Sequence, residues 1–243
     1  MFEQFIRTEI LIGEEKIKLL SNARVAVFGI GGVGSYVVEG LARVGIGKFV
    51  LVDNDVVSFS NINRQLIATY NTIGQNKVDV AKERILSINP CAEVKVHKTF
   101  YLANEGQGII DGCNYVVDAI DTVSAKLALV EECNNKNIKI ISCMGTGNKI
   151  SPTMLEVSDI SKTSICPLCR VMRRGLKNRG IDRLKVVYSK ESPIKPINTR
   201  KEEMLETNAS FFNKRQTPGS VSFVPSVSGL IIVSEVVKDL INL

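Results

Sequence analysis

Four glycines near the start of the chain have the types and spacing to bind a phosphate. Gly29, Gly31 and Gly34 form G-x-G-x-x-G, and Gly32 stands between them. Glycines in this pattern let the backbone turn tightly and approach a phosphate, while the N-terminus of a following helix offers free N–H groups and a partial positive charge. The spacing predicts a nucleotide cradle, although a tight turn without a ligand is the alternative. The turn alone does not say which nucleotide it binds.

Charged side chains beyond this turn favour a triphosphate over a nicotinamide dinucleotide. A dinucleotide needs the turn and an acid such as Asp53, which can accept hydrogen bonds from a ribose. Arg64 and Lys77 can in addition neutralise the β- and γ-phosphates of ATP. Lys77 opens a predicted helix, where a cation opposes the helix dipole, so it is better placed for an anion than for the helix. A solvated lysine is the alternative.

One further carboxylate, Asp121, is predicted at the C-terminal end of a strand, on the same rim as the glycine turn. Ligands of open parallel sheets bind at that rim. A carboxylate there suits the magnesium ion carried by a triphosphate. It can also cap the next helix, and the two roles are compatible.

The reaction that fits this set is attack by a carboxylate on the α-phosphorus of ATP. The chain has a single histidine, His97, on a predicted strand, so a Ser-His-Asp or Cys-His mechanism would depend on this one residue. Without a base to activate water, carboxylate attack yields an acyl-adenylate and pyrophosphate. Catalysis then comes from positioning and charge stabilisation.

The elements that must position these groups alternate between strand and helix. Strands are predicted at 25–28, 49–52, 94–96, 115–119 and 139–142, with further candidates at 153–157 and 186–188. Helices are predicted at 35–44, from 77 to before Pro90, and from 122 to about 137, with a short helix near Asn61 capped by Ser60 or Asn61. The alternation predicts an α/β fold: a Rossmann-like, doubly wound, mainly parallel sheet with helices on both faces.

We expect a single domain over residues 1–243. Its parts are a helical lead-in (1–22), a nucleotide-binding core (23–160), a basic and partly mobile segment (161–217) and a closing helix (218–243). We expect no signal peptide and no membrane span, because charges interrupt the last apolar stretch. Six irregularly spaced cysteines favour reduced thiols, and so a cytoplasmic protein.

The positive charge is concentrated in the basic segment. From Lys162 to Arg215 there are 14 Lys+Arg against 5 Asp+Glu, a local +9, which leaves 17 against 20, or −3, elsewhere. A basic segment on a near-neutral core favours a polyanionic partner. A solvated loop explains the charge equally well.

The basic segment also contains Cys166 and Cys169, in the sequence Cys-Pro-Leu-Cys. One C-x-x-C is half of a tetrahedral zinc site, and no cysteine follows it. Redox activity would need a thioredoxin-like βαβ context, which is absent. Two bystander thiols are the default interpretation.

The segments GIGGVGS, LVDNDVVSFSNINRQ, GQNKVDVAKERILSINP and VVDAIDT resemble the ubiquitin-activating-enzyme-like adenylating superfamily. The resemblance implies that Asp53 binds ribose, that Asn61, Arg64 and Lys77 contact phosphates, and that Asp121 lies at the metal–phosphate site. It also implies a homodimer in which Arg7 reaches the ATP of the partner subunit. The implied nucleotide-binding set is Gly29, Gly31, Gly32, Gly34, Asp53, Asn61, Arg64, Gln65, Lys77 and Asp121, with ATP and Mg²⁺ as cofactors.

Further segments, among them FIRTEILIGEE, SCMGTGNKISPT, DISKTSICPL and SVSFVPSVSGLIIVSEVV, resemble the tRNA threonylcarbamoyladenosine dehydratases over nearly the whole chain. That family activates the carboxylate of threonylcarbamoyladenosine with ATP and then closes the side chain into a ring with net loss of water. The resemblance implies tRNA carrying threonylcarbamoyladenosine as partner, and we place its contacts on Arg170, Arg173, Arg174, Lys177 and Arg179. The C-x-x-C is a departure from the family as we know it.

Two other functions stay open. One is an adenylyltransferase for a sulfur-carrier or ubiquitin-like protein, although such enzymes usually carry two C-x-x-C pairs. The other is a non-catalytic nucleotide-sensing protein. A sulfur-relay or other protein partner is also compatible with the sequence.

Overall fold

The computed structural model describes residues 3–102, 108–197 and 218–243. Its strands are β1 Arg24–Phe28, β2 Lys48–Val52, β3 Glu93–His97, β4 Tyr115–Asp118, β5 Lys139–Cys143, β6 Leu155–Asp159 and β7 Lys185–Ser189. Its α-helices are α1 Ile6–Ile12, α2 Glu14–Asn22, α3 Gly34–Val44, α4 Lys77–Ile88, α5 Val123–Asn135, α6 Pro167–Lys177 and α7 Phe223–Ile241.

The described strands form one seven-stranded sheet in the order β3-β2-β1-β4-β5-β7-β6. All neighbouring pairs are parallel except β7 with β6, an antiparallel edge. The chain winds outward from β1 through β2 to β3 and then returns to place β4 on the other side of β1. This reversal opens a crevice at the carboxyl ends of β1 and β4, where open α/β sheets bind ligands. The expected doubly wound, mainly parallel α/β fold is confirmed.

Alternating side chains of the strands divide the core between the two faces of the sheet. Val25 and Val27 of β1 pack in a cluster with apolar residues of α3, α4 and α7. Ala26 and Phe28 face the other way and pack with residues of α5. Parallel strands covered on both faces read as continuous apolar runs, which is why the sequence shows them so clearly.

The basic segment is less separate from the core than its composition indicates. It contributes α6, whose apolar side packs on α5, and β7, which lies inside the sheet between β5 and β6. The part of the expected mobile loop from 198 to 217 lies outside the described residues.

Several element boundaries differ from those expected. The lead-in is two short helices separated by Gly13, whose φ of +88° breaks the helical path. The expected short helix near Asn61 is a 3₁₀ turn, Phe59–Asn61, and its N-cap is Ser58 instead of Ser60 or Asn61. The closing helix begins at Phe223, and no helix in the described ranges is long and apolar enough to cross a membrane.

Candidate active site

A cavity of about 680 Å³ opens at the carboxyl ends of the central strands. The glycine turn after β1 forms its floor, and the segments that follow β2, β4 and β5 form its walls. Ten residues were expected to bind nucleotide, and the cavity brings nine of them together. They are Gly29, Gly31, Gly32, Asp53, Asn61, Arg64, Gln65, Lys77 and Asp121. Gly34, the tenth, begins α3 immediately behind the turn.

Backbone crowding explains two of the glycines. Gly29 has φ +85°, and a Cβ there would lie 2.6 Å from the carbonyl oxygen of Ala119. A Cβ on Gly34 would lie 1.8 Å from the carbonyl oxygen of Gly29, because α3 begins directly against the turn. Side chains are thereby excluded, and the N–H groups of Gly31, Gly32 and Val33, which have no hydrogen-bond partner within the described residues, lie in the cavity lining. The geometry is that of an anion cradle.

Asp53 lies at the end of β2 and is held by two backbone donors. Its Oδ2 accepts from the N–H of Ile30 at 2.6 Å, and its Oδ1 accepts from the N–H of Asp55 at 2.8 Å. Burial raises the pKa of the Asp53 carboxyl, while the Lys77 ammonium and these two N–H groups oppose the rise. The carboxylate therefore joins the glycine turn to the end of β2 and fixes the distance between them.

Lys77 is buried at the first turn of α4, with only 5% of the residue exposed. Its Nζ donates to Asp55 Oδ2 at 2.6 Å, and the Asp55 side chain is 60% exposed. The solvated-lysine alternative is wrong, since a buried ammonium must be paired. The partner carboxylate lies at the wet edge of the cavity, so a phosphate entering there can share the ammonium or replace the carboxylate.

Arg64, Asn61 and Gln65 follow one another along the turn after β2. Arg64 Nη1 donates to the carbonyl of Ser60 at 2.7 Å, which holds its guanidinium against the turn. Asn61 Oδ1 accepts the N–H of Ser58 at 3.1 Å and closes a capping box. Gln65 is buried, and its Oε1 has no hydrogen-bond partner within the described structure. Such an orphaned acceptor at a cavity wall is available to a ligand donor.

A buried ion pair beneath the rim was missed by the sequence analysis. Lys126 Nζ of α5 lies 2.9 Å from Asp118 Oδ2 at the end of β4, and both side chains are 0% exposed. Asp118 Oδ1 accepts the N–H of Ile120, which shapes the turn that carries Asp121. The only available signal was the eight-residue spacing across a strand end and a helix start, which by itself is not diagnostic.

Asp121 is exposed at the rim and does not cap α5. The N-cap position belongs to Thr122, whose Oγ1 donates to Asp121 Oδ1 at 3.2 Å instead of capping the helix. An exposed carboxylate beside a phosphate cradle matches the way Mg²⁺ is usually bound, through one or two carboxylates plus substrate phosphates.

The five basic residues assigned to tRNA do not share one environment. Arg170, Arg174 and Lys177 are exposed along α6. Arg173 is half-buried, and its Nη1 donates to the carbonyls of Ile160 and Thr163. That guanidinium ties α6 to the preceding turn, so an RNA contact is a poor description of its role.

Arg179 is exposed, but its guanidinium already has partners within the protein. Its Nε pairs with Glu131 Oε2 at 3.0 Å and its Nη1 donates to the carbonyl of Gly175 at 2.9 Å.

Arg7 is exposed on α1 and is not among the described residues that line the cavity. Within the described ranges no group of three or more His, Cys, Asp or Glu side chains, and none that includes Cys166 and Cys169, is placed to hold a metal ion.

The fold places a glycine turn, a buried lysine, a half-buried arginine and a rim carboxylate around one cavity. This combination defines a nucleotide-binding protein of the adenylating type. The family model described as ThiF family matches residues 5–243, and the chain belongs to that family.

Two curated proteins and one solved structure are similar to this chain over nearly its whole length. The chain is 44% identical over 244 residues to the tRNA threonylcarbamoyladenosine dehydratase of Bacillus subtilis, covering 100% of this chain and 96% of that protein. It is 34% identical over 250 residues to the Escherichia coli protein of the same name, covering 98% and 93%. The structure of the E. coli dehydratase in complex with ATP superposes with a TM-score of 0.87 at 33% identity, covering 99% of this chain and 94% of that one.

Proposed function

We propose that the chain catalyses the ATP-dependent dehydration of threonylcarbamoyladenosine in tRNA through an acyl-adenylate. The observation that carries the proposal is the buried Lys77 ammonium at the edge of a cavity that also holds the glycine turn and Arg64. The full-length likeness to two dehydratases, one of them solved with ATP, supports the same reaction.

Bond changes in this reaction balance without an added base or oxidant. The threonylcarbamoyl carboxylate forms a bond to the α-phosphorus of ATP, and the bond to pyrophosphate breaks. An internal nucleophile of the same side chain then attacks the activated carbonyl carbon, and AMP leaves with the former carboxylate oxygen. The modified nucleoside has lost one water, and ATP has become AMP and pyrophosphate.

The positions of several cavity residues support a role for each in this reaction. The free N–H groups of the glycine turn before α3 bind a phosphate, and Asp53 accepts a hydrogen bond from the ribose. Lys77 and Arg64 stabilise the negative charge that accumulates on pyrophosphate as it leaves. Asn61 and Gln65 orient the phosphates by hydrogen bonding.

We assign Asp121 as the protein ligand of the Mg²⁺ that accompanies ATP. Its exposed carboxylate suits an ion whose remaining ligands are phosphate oxygens and water. When bound, the ion would neutralise charge on the β- and γ-phosphates.

The exposed apolar side chains of α1 support a homodimer. Ile10 and Leu11 are 78% and 83% exposed, and Ile6 beside them is 50% exposed. An exposed apolar strip on a short helix favours a protein partner. Arg7 lies on the same helix, so we propose that this surface pairs with a second copy and that Arg7 of the partner subunit completes the ATP site.

The tRNA would approach along the exposed side of α6. Arg170, Arg174 and Lys177 recur at intervals of four and three residues, which places them on one helical face. Leu168, on the first turn of the same helix, lines the cavity. This continuity lets a strand bound on α6 deliver its modified base to the nucleotide. The cytoplasm is the proposed location, because the substrate tRNA is used there.

The test is a nucleoside mass measurement. The protein is incubated with ATP, Mg²⁺ and threonylcarbamoylated tRNA, and the modified nucleoside should lose one water in step with AMP formation. Lys77→Met should abolish the reaction while leaving the fold intact. Lys82→Met, on the same helix but not in the described cavity lining, is the matched control and should retain it.

Other outcomes would overturn the proposal. Pyrophosphate exchange that depends on a small Gly-Gly-tailed protein, with no loss of water from tRNA, would assign the chain to the carrier-protein adenylyltransferases. ATP binding with neither activity would assign it to nucleotide sensors.

A further inference from the structure

Asn63 joins the Arg64 guanidinium to the segment 218–220, which leads into α7. Asn63 Nδ2 donates to the carbonyl of Ser220 at 2.9 Å, and its Oδ1 accepts from Arg64 Nη1 at 2.9 Å. A side-chain amide has both a donor and an acceptor group, whereas a carboxylate of the same size could not donate to the carbonyl. The residue type at position 63 therefore suits both partners. The Ser220 contact joins residues 157 positions apart, so no short segment of the sequence shows it.

Two hydrogen bonds from one nitrogen hold the Arg64 guanidinium in a single orientation. Its Nη1 donates to the carbonyl of Ser60 at 2.7 Å as well as to Asn63 Oδ1. Both N–H groups of Nη1 are then used, while the Nε and Nη2 N–H groups have no partner within the described residues. Because Arg64 lines the cavity, its remaining donors are available as a planar fork, the geometry that suits phosphate oxygens.

The segment 218–220 is held on its other side by Asn148. The N–H of Asn148 donates to the carbonyl of Gly219 at 2.7 Å, and its Oδ1 accepts the N–H of Gly219 at 2.7 Å. Asn148 has φ +57°, a left-handed conformation that asparagine adopts more readily than most residues. Pro218 lies against Gly147, where an added Cβ would be 2.9 Å from the Pro218 Cβ. Hydrogen bonds and packing thus join the segment to the loop after β5.

The loop that carries Asn148 is itself held by a buried lysine and a buried glutamate. Lys149 Nζ donates to the backbone carbonyl of Glu191 at 2.6 Å, and both residues are buried. The Glu191 carboxylate accepts the N–H groups of Ile150 and Ser151. Buried charged groups keep such partners because leaving them without hydrogen bonds is costly. Asn148 is therefore a fixed point from which the segment 218–220 is held.

We propose that Asn63 is a positioning residue for ATP and that it acts through Arg64. By joining the guanidinium to the segment 218–220, Asn63 holds Arg64 ready for the β- and γ-phosphates. A guanidinium that is ordered in advance loses less side-chain freedom when the phosphates bind. Arg64, Ser220 and Pro218 all line the cavity, so the chain of contacts runs along its wall. This role rests on the proposed function, since it requires the phosphates of ATP to lie beside Arg64.

Calorimetry of the full-length protein with ATP and with AMP, each with Mg²⁺, tests this role. In Asn63→Ala the guanidinium loses one of its two restraints and must be ordered when the phosphates bind. The Kd for ATP should rise about tenfold, equivalent to 1.4 kcal/mol, while the Kd for AMP, which lacks the β- and γ-phosphates, should stay within about twofold. Retained AMP binding also shows that the site is folded. Asn71→Ala changes an exposed asparagine outside the described cavity lining and is the matched control, with both affinities unchanged.

Two further variants show through which groups Asn63 acts. In an Arg64→Ala background, Asn63→Ala should change the Kd for ATP by less than about twofold, because the group that it positions is gone. Asn148→Gly removes the side chain that holds Gly219, and glycine readily adopts the same backbone conformation. Losing this one hydrogen bond should raise the Kd for ATP about threefold and leave the Kd for AMP unchanged.

Several results would overturn the inference. Equal weakening of ATP and AMP binding in Asn63→Ala would show a general structural role, and additive effects of Asn63→Ala and Arg64→Ala would show that Asn63 does not act through Arg64. Unchanged ATP binding in Asn148→Gly would refute the part played by the segment 218–220. If the ATP and AMP results hold but threonylcarbamoylated tRNA loses no water, the proposed function fails and the inference stands. If the tRNA is dehydrated and the effects are additive, the inference alone fails. An unmodified protein that does not bind ATP would refute both.

Discussion

The substitution Lys126→Met tests whether the buried ion pair between Lys126 and Asp118 supports the rim of the cavity. The substitution keeps most of the side-chain volume and removes the ammonium, leaving the fully buried Asp118 carboxylate without its cation. Breaking a buried pair in this way costs about 3–5 kcal/mol. Domains are typically stable by about 5–15 kcal/mol, so the variant should be folded but much weakened.

The double variant Asp118→Asn, Lys126→Met tests whether the cost comes from the unpaired charge. With both charges removed, most of the lost stability should return, because neither partner is left charged in the interior. The asparagine can still accept the N–H of Ile120, so the rim turn should keep its shape. ATP affinity should follow the same order: lowest in the single variant and largely recovered in the double one.

Urea unfolding followed by far-ultraviolet circular dichroism is the measurement, since the chain has no tryptophan. The midpoint should fall with an unchanged slope if only stability has changed. Lys18→Met is the surface control: its pair with Glu14 is exposed at both ends, and its loss should be barely measurable. A loss below about 1 kcal/mol in the single variant, or a double variant no more stable than the single, would show that the pair does not support the rim as argued.

Three further sets of substitutions test the glycine turn, the proposed dimer contact and the exposed face of α6. Gly34→Ala would place a Cβ 1.8 Å from a carbonyl oxygen and should abolish ATP binding in calorimetry, whereas Gly31→Ala meets no atom closer than 3.9 Å and should fold normally. Arg7→Ala should reduce dehydration severely, and mixing it with a variant inactive at its phosphate-binding residues should restore part of the activity; no restoration would contradict a shared site. The pair Arg174→Glu, Lys177→Glu should weaken tRNA binding at least tenfold at low salt and flatten its salt dependence. If the variant and the unmodified protein bind tRNA equally well in gel-shift assays, this face of α6 is a solvated surface and does not bind tRNA.

Local sequence patterns alone predicted the fold class, the glycine turn and several residues of the candidate site. Apolar runs at the positions of the central strands, separated by helical stretches, were enough to predict the parallel α/β sheet, because strands covered on both faces are apolar along most of their length. The glycine spacing predicted the turn after β1, since only glycine tolerates a φ of +85° with a carbonyl 2.6 Å from its Cβ position. Asp53 and Lys77 were identified because each stands at the end of an element that faces the same rim.

Tertiary structure decided which of the charged groups are paired, and therefore what each can do. Lys77 meets Asp55, and Lys126 meets Asp118, only because the ends of β2 and β4 come together with the starts of α4 and α5. The same folding turned Arg173 toward the backbone carbonyls of Ile160 and Thr163. Such contacts depend on strand order and on burial, and neither is encoded in the spacing of any short segment.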